Sequence, residues 1–167
     1  MAEVTGNNIE KLHELIKDIR FTMFTTRAAN GSLRSRPMTT QGGKSDQQDC
    51  LWFFASRSGE PVAELRADPT VNLAYADPGS DTYVSVCGTA SVVEDLARKQ
   101  QMWSKFAQAW FPDGPEDPDL ALVRVQINEA EYWDVKESKP TQLFKMAKAV
   151  FTKEPPTGMG EHGKIVN

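Results

Sequence analysis

The sequence contains very little histidine and cysteine. Its two histidines, His13 and His162, lie near opposite ends of the chain, and its two cysteines, Cys50 and Cys87, lack CxxC spacing. Zinc sites, Cys–His dyads and Ser–His–Asp triads need these residues in compact patterns, so the sequence argues against all three. We predict no metal site, no identifiable catalytic residue, and cysteines that are reduced and partly buried.

The sequence also lacks a long apolar run and an excess of basic residues. No segment approaches the roughly 18 uninterrupted apolar residues of a membrane span, and no signal-like basic and then apolar segment stands at the start. The 19 Lys and Arg residues face 23 Asp and Glu residues, which makes the net charge −4. We therefore expect a cytoplasmic protein that binds neither membranes nor nucleic acids.

The 167 residues suit one compact domain with its own core. Apolar periodicity and turn signals predict strands over 21–27, 33–40, 50–55, 71–76, 82–93, 122–127 and 131–135, and helices over 9–20, 61–67, 94–110 and 141–150. Because strands and helices do not alternate regularly, we predict a mainly β fold, a small antiparallel barrel with flanking helices. Residues 152–167 have little apolar content, which predicts a flexible tail after a single domain at 1–151.

Arginine and serine residues concentrate in two neighbouring predicted strands and in the turn that follows the second. Because strand side chains alternate, Arg34 and Arg36 share one face and place two guanidinium groups side by side. One interpretation is a pair of solvated surface arginines. The other is an anion site, in which Arg36 binds a phosphate while Ser56, Ser58 and backbone N–H groups at a helix start add donors.

Several motifs, in their order and spacing, resemble one known family. They are Arg36-Pro37-Met38, the run from Trp52 to Arg57, the run from Asp68 to Leu73, and the run from Tyr83 to Ala90. The sequence resembles the FMN-binding split-barrel superfamily, and most of all its bacterial general stress proteins, which are relatives of pyridoxamine 5′-phosphate oxidase. This resemblance implies an antiparallel split β-barrel and a homodimer with two FMN sites across the subunit interface.

The resemblance also implies which residues bind the cofactor. Arg36 would contact the FMN phosphate or ribityl chain, and Tyr83 would hydrogen-bond the flavin. Trp133 would approach the cofactor from the partner chain, with Trp110 as a second candidate for that role. The remaining implied positions are Pro37, Met38 and Thr39 beside the flavin ring, Phe54 and Ala55 in the pocket lining, and Ser56, Arg57 and Ser58 at the phosphate turn.

Two departures from the family pattern bear on activity. Relatives commonly place a lysine just after the Ser-Arg turn, but here the chain reads Glu60-Pro61, so we expect Glu60 to face solvent. The Arg-x-His element of pyridoxamine phosphate oxidases is absent after Trp133, which counts against vitamin B6 oxidation. A flavin-dependent oxidoreductase and a flavin-binding protein without turnover both remain open, as does the use of FAD in place of FMN.

Overall fold

The computed structural model describes residues 6–43 and 48–166. Within them the chain forms eight strands, five α-helices and one 3-10 turn at Gly114–Glu116. The helices are α1 (Gly6–Ile16), α2 (Glu60–Ala67), α3 (Leu96–Met102), α4 (Lys105–Trp110) and α5 (Lys139–Thr152). The strands are β1 (Thr22–Arg27), β2 (Leu33–Met38), β3 (Thr40–Gln41), β4 (Cys50–Ser56), β5 (Thr70–Asp77), β6 (Thr82–Val93), β7 (Leu120–Asp134) and β8 (Glu161–Val166).

The strands form one antiparallel sheet in the order β2-β1-β5-β6-β7-β4-β3, and β8 also pairs with β7. β7 pairs with β6 along one edge, while its other edge pairs first with β4 and then with β8. The sheet curls into a half-barrel with helices at its flanks, and the prediction of a mainly β split barrel is confirmed.

The main core lies inside the curled sheet. Alternate strand residues point inward, and the rings of Phe24 and Phe53 meet edge to face with centroids 5.2 Å apart. A smaller cluster, which includes Trp52 and Met102, covers the opposite face of β4. β4 is therefore buried on both faces, which is what its unbroken apolar run predicts.

Gly88 allows β6 and β7 to approach each other closely. The register between the two strands shifts between Cys87 and Gly88, which marks a β-bulge. A Cβ atom at position 88 would lie 2.5 Å from Val125 Cγ1 and 2.6 Å from the Gln126 carbonyl oxygen. Only glycine fits this position without a shift of the neighbouring strand.

Several of the predicted elements are divided or joined differently in the structure. The helix expected over 94–110 is divided into α3 and α4, because the Ser104 hydroxyl caps a new helix by accepting a hydrogen bond from the Ala107 N–H at 3.3 Å. The strands expected over 122–127 and 131–135 are one continuous strand, β7. The residues between these two predicted strands are polar, but they also pair with β6, and the register shifts only at the bulge. These polar residues therefore do not end the strand.

The flexible tail expected over 152–167 also needs a correction. Residues 161–166 form β8, which pairs antiparallel with Glu129–Asp134 of β7, and Ile165 is buried in the main core. The ladder and this one buried side chain stabilise a segment whose composition is otherwise polar.

Among the described residues, no helix combines the length and the apolar character that a membrane span needs.

Candidate functional site

β2 brings two arginines to α2, one to its first residue and one to its second turn. Arg34 Nη1 donates a hydrogen bond to Glu60 Oε2 at 2.9 Å, and Arg36 Nη2 donates to Glu64 Oε2 at 3.1 Å. Arg36 Nη1 also donates to Thr26 Oγ1 at 2.5 Å. Both guanidinium groups thus reach α2 from the same side of β2, as their alternation in the sequence predicts.

The two carboxylates of this arginine cluster differ in burial. Glu64 is only 9% exposed, and hydrogen bonds from the Thr26 hydroxyl and from Arg36 hold its pKa below the usual value. Glu60 is 77% exposed and faces solvent. Glu64 is therefore a fixed partner of Arg36, whereas the pair between Glu60 and Arg34 is exposed and easily exchanged.

Asp119 closes the turn between β4 and α2. Ser56 Oγ donates to Asp119 Oδ2 at 2.5 Å, and the Ser58 backbone N–H donates to Asp119 Oδ1 at 2.9 Å. These hydrogen bonds lower the pKa of Asp119. Arg57 donates to both carboxylate oxygens of Glu94, at 2.5 and 3.1 Å. The serines and the arginine of the predicted phosphate turn are thus engaged by acidic groups of the chain itself.

The residues after Arg36 follow β2 toward an open cleft. Pro37 is exposed, and Met38 packs against the main core. Thr39 lines a cleft of ≈ 570 Å³ that lies between residues 39–43 and the end of α1. This volume is typical of small-molecule sites. Among the described residues that line the cleft, Thr39 is the one predicted site residue.

Phe54 and Ala55 point to opposite faces of β4. Ala55 is buried in the main core, whereas the Phe54 ring packs outside the barrel with its centroid 5.9 Å from that of Trp103. Since neighbouring side chains of a strand alternate, these two side chains do not line one pocket.

Tyr83 and Trp133 lie side by side on the outer face of the sheet. They are direct partners in the β6–β7 register, and each is 40% exposed. The Trp133 ring stacks on His162 of β8, with centroids 5.2 Å apart and an interplanar angle of 9°. His162 Nε2 lies 2.7 Å from Glu131 Oε1. The sequence did not indicate His162 because the tail was predicted to be flexible.

The predicted site residues are therefore distributed over several places. Arg36 lies beside the second turn of α2. The end of β4 and the turn before α2 hold Ser56, Arg57 and Ser58, and the outer sheet face holds Tyr83 and Trp133. Trp110 is 82% exposed at the end of α4. In the described ranges no group of three or more His, Cys, Asp or Glu side chains is arranged to hold a metal ion.

The antiparallel half-barrel and its flanking helices define a protein of the split-barrel class. Residues 7–157 match the model of the family described as pyridoxamine 5′-phosphate oxidase like. This match covers most of the sequence, and the chain belongs to that family.

Three relatives illustrate this membership. Protein bli-3 of Neurospora crassa is 29% identical over 158 residues, which cover 89% of this chain and 75% of that protein. General stress protein 26 of Bacillus subtilis is 29% identical over 116 residues, which cover 63% of this chain and 82% of that protein. The crystal structure of a general stress FMN/FAD binding protein from Xanthomonas citri aligns with a TM-score of 0.67 at 30% identity, over 81% of this chain and 93% of that one.

Proposed function

We propose that this chain is an FMN-binding general stress protein that assembles as a homodimer. Its family and its similarity to the Xanthomonas citri FMN/FAD binding protein support a flavin ligand. The observation that carries the proposal is the pair of guanidinium groups, from Arg34 and Arg36, beside α2.

Arg34, Arg36 and Arg57 fit a phosphate group, whereas Ser56 Oγ and the Ser58 backbone N–H already donate to Asp119. An exposed ion pair such as Arg34–Glu60 contributes only about 0–1 kcal/mol, so a phosphate can replace Glu60 at little cost. Guanidinium groups bind phosphate through paired N–H donors, and the first backbone N–H groups of a helix favour an anion. Glu94 is 65% exposed, so Arg57 can exchange its partner in the same way.

The buried carboxylate of Glu64 has a different role in this proposal. By accepting a hydrogen bond from Arg36 Nη2, it holds that guanidinium group in one orientation. A guanidinium group has five N–H donors, so Arg36 can keep Glu64 and still bind a second anion. Glu64 would therefore orient Arg36, and Glu60 would give way to the phosphate.

A bound FMN would supply the redox chemistry through its ring, and the protein would supply binding, orientation and exclusion of water. Tyr83 and Trp133 present a phenol and an indole on one outer face, where a ligand or a second chain can contact them. These rings serve the proposed site by packing and hydrogen bonding, which need no acid–base residue.

The experiment that tests this proposal compares FMN with riboflavin, which lacks the phosphate. We expect Arg36→Ala and Arg36→Lys to raise the dissociation constant of FMN about tenfold or more, since one charge-assisted hydrogen bond contributes about 1.5–3 kcal/mol. Riboflavin binding should change little. Fluorescence titration measures both affinities, and Arg36→Lys keeps a cation beside Glu64 if the alanine variant is unstable.

Arg27→Gln provides the matched control for this titration. Arg27 lies on β1, next to β2, and pairs with Asp68 at the surface, 3.3 Å away. Its substitution should leave both flavin affinities unchanged. An unaltered FMN affinity in both Arg36 variants would show that Arg36 does not bind the phosphate. A colourless protein that binds neither added FMN nor added FAD would overturn the whole proposal.

A second experiment separates an oxidoreductase from a flavin-binding protein without turnover. The flavin-loaded protein is mixed with NADH or NADPH and an electron acceptor, and the steady-state rate is followed against nucleotide concentration. A saturable rate assigns reductase chemistry to the protein. Flavin binding without such a rate assigns it the binding role alone.

A further inference from the structure

Lys99 on α3 is a buried cation with few partners. Its side chain is only 7% exposed. Its ammonium group has three N–H donors, of which one donates to the Leu120 carbonyl at 2.7 Å, and the described residues provide no other hydrogen-bond acceptor or ionic partner. A buried charge is costly unless it is paired and hydrogen-bonded. Lys99 therefore has a positive charge, and N–H donors, that the described part of the chain leaves without a direct partner.

The Arg57 guanidinium group lies beside this ammonium group. Arg57 Nη2 donates to the same Leu120 carbonyl at 3.4 Å, and Arg57 Nε donates to the Pro118 carbonyl at 3.2 Å. Because Lys99 and Arg57 share one acceptor oxygen, their nitrogen atoms are close enough to bind a single oxyanion. The two backbone carbonyls hold the guanidinium group in one orientation, so these donors are arranged before any ligand binds.

Glu94 shows where an anion binds this pair of cations. It directly follows β6, and its two carboxylate oxygens accept hydrogen bonds from Arg57 at 2.5 and 3.1 Å. The hydrogen bond from Arg57 holds the pKa of Glu94 below its usual value, and the positive charges of Arg57, Lys99 and Arg66 add to this effect. Three cations therefore act on one carboxylate.

Arg66, in the last turn of α2, is the third cation of this group. Its side chain is exposed, and within residues 6–43 and 48–166 it has no hydrogen-bonding or ionic partner. The carboxylates that act on Arg57 are those of Glu94 and Asp119. Positive charges therefore outnumber negative ones in this group, which favours a further anion.

The Glu94 side chain can leave its position on Arg57. The side chain of Glu94 is 65% exposed and that of Arg57 is 30% exposed, so the ion pair between them contributes little to stability. A phosphate group has up to twice the charge of a carboxylate and offers three acceptor oxygens. It can therefore replace Glu94 on Arg57 and also use the N–H donors of Lys99.

We propose that Arg57 and Lys99 bind the phosphate group of a ligand in the position that the Glu94 carboxylate occupies, and that Arg66 adds positive charge to this site. Glu94 is then an internal competitor, which leaves the site when the phosphate binds. The inference rests on the proposed function only for the source of the phosphate, which is either the bound flavin or a separate phosphate ligand. The contacts of these side chains support the site whether or not FMN binds.

NMR titration of the full chain with inorganic phosphate tests the site, in about 0.15 M salt so that weak surface attraction is screened. We expect saturable shifts of the Arg57 Nε–H signal and of the backbone amides of 94–99. Lys99→Met should weaken phosphate binding about tenfold or more, because a charge-assisted hydrogen bond is lost. Glu94→Gln should strengthen phosphate binding about two- to fivefold, because the competing side chain loses its charge.

Arg98→Gln is the matched control for Lys99→Met. Arg98 adjoins Lys99 on α3 and pairs with Asp95, 3.7 Å away, so the control removes the same charge from the same helix. Its phosphate affinity should stay within about twofold of the wild-type value, since an exposed charge outside the site contributes little. An equal loss in both variants would show that only the general charge of the helix matters, which overturns the inference.

Urea unfolding of Lys99→Met separates ligand binding from a purely structural role. Methionine has a similar length and no charge to bury, so we expect the variant to be at least as stable as the wild type. A lysine that serves only the fold would give lower stability and an unchanged phosphate affinity. Arg57→Gln, in the turn after β4, tests the same site if Lys99→Met does not fold.

Titration with FMN and riboflavin identifies the source of the phosphate. If FMN supplies it, Lys99→Met weakens FMN binding and leaves riboflavin binding unchanged. If the affinity for FMN is unchanged while that for inorganic phosphate falls, the site holds a separate phosphate ligand. The inference is overturned if no saturable shifts occur, or if both Lys99→Met and Arg57→Gln keep the wild-type phosphate affinity.

The same titrations separate this inference from the proposed function. A protein that binds phosphate at Arg57 and Lys99 but binds no flavin sustains the inference and refutes flavin binding. A protein that binds FMN through Arg36 and shows no phosphate-dependent shift at Arg57 refutes the inference alone.

Discussion

Glu64 is the residue on which the geometry of the arginine cluster depends. It is nearly buried, and it accepts hydrogen bonds from the Thr26 hydroxyl and from Arg36, while Arg34 lies 3.5 Å from its other oxygen. A buried carboxylate without such partners would be costly. The carboxylate and the two guanidinium groups therefore stabilise each other in one arrangement beside α2.

We expect Glu64→Gln to lower the free energy of unfolding by about 1.5–3 kcal/mol at neutral pH, because a charge-assisted hydrogen bond is lost. The pKa of Glu64 is lower in the folded state than in the unfolded state, where it is near 4.5. Ionisation of Glu64 therefore stabilises the fold at pH values above the unfolded-state pKa, and this stabilisation is lost as the pH falls through the lower pKa of the folded state. The difference between wild type and variant should therefore shrink in acid. Urea unfolding over a pH series measures it.

Glu60→Gln is the control for this prediction. Its side chain is exposed, and its substitution should change the free energy of unfolding by no more than about 0.5 kcal/mol. A difference between Glu64→Gln and wild type that stays constant from neutral to acid pH would show that the charge of Glu64 does not stabilise the fold.

Gly88→Ala tests the close approach of β6 and β7. The new Cβ would lie 2.5 Å from Val125 Cγ1, so the strands must separate, and we expect a loss of about 1–3 kcal/mol of stability by overpacking. Gly79→Ala is the comparison, because its Cβ would meet only the movable carboxylate of Asp77, at 3.1 Å. Thermal unfolding of both variants should show a large decrease for position 88 alone.

At the scale of elements, Glu161 fastens β8 to its neighbours. Its carboxylate accepts hydrogen bonds from Tyr132 at 2.8 Å, from Lys136 at 3.0 Å and from Lys11 at 3.2 Å. These contacts, with Lys136 the strongest, lower the pKa of Glu161 to about 2. The start of β8 is thereby linked to both β7 and α1.

We expect Glu161→Gln to loosen β8 without unfolding the barrel. Backbone amides of 162–166 should exchange with deuterium faster, while amides of the β4–β7 ladder keep their protection. The lowered pKa means that the wild-type contacts persist through mild acid and are lost only as the pH approaches about 2. Lys164→Gln, exposed on the same strand, is the control, and equal exchange in both variants would contradict the role of Glu161.

Elements whose signals are local could be predicted from the sequence. β6 spans 82–93 in the structure as predicted, because alternation and flanking turn residues mark both of its ends. β8 could not be predicted, since its stability comes from β7 and from Glu161 contacts that reach back to Lys11. α4 begins at a separate N-cap, Ser104, and apolar periodicity does not indicate such a cap, so the sequence predicted one helix where the structure has α3 and α4.

The same distinction applies to the candidate site. The adjacency of Arg34 and Arg36 follows from strand alternation alone, and the outward direction of Glu60 was expected from its charge. The partners Glu64 and Asp119 were missed because they lie 28 and 63 residues from Arg36 and Ser56 along the chain, respectively. Only the folded arrangement brings such carboxylates to the donors that the sequence indicates.

At the scale of the whole molecule, flavin binding and assembly should both raise thermal stability. A ligand at 100 times its dissociation constant stabilises the folded state by about 2.7 kcal/mol, and a dimer becomes more stable as protein concentration rises. We therefore expect the unfolding temperature to increase with FMN and, separately, with protein concentration. Scanning calorimetry over both series measures this, and the FMN-dependent increase should be smaller in Arg36→Lys.

β7 joins parts of the chain that the ribosome makes at very different times. Its first residues pair with β4, its last with β8, and its other edge with β6. β1, β2, β5 and β6 can pair as they emerge, but β4 has no long strand partner until residues 120–134 follow. The apolar β4 therefore has no long partner while residues 57–119 are made, and the barrel closes late, so nascent chains halted before β7 should bind chaperones and be degraded.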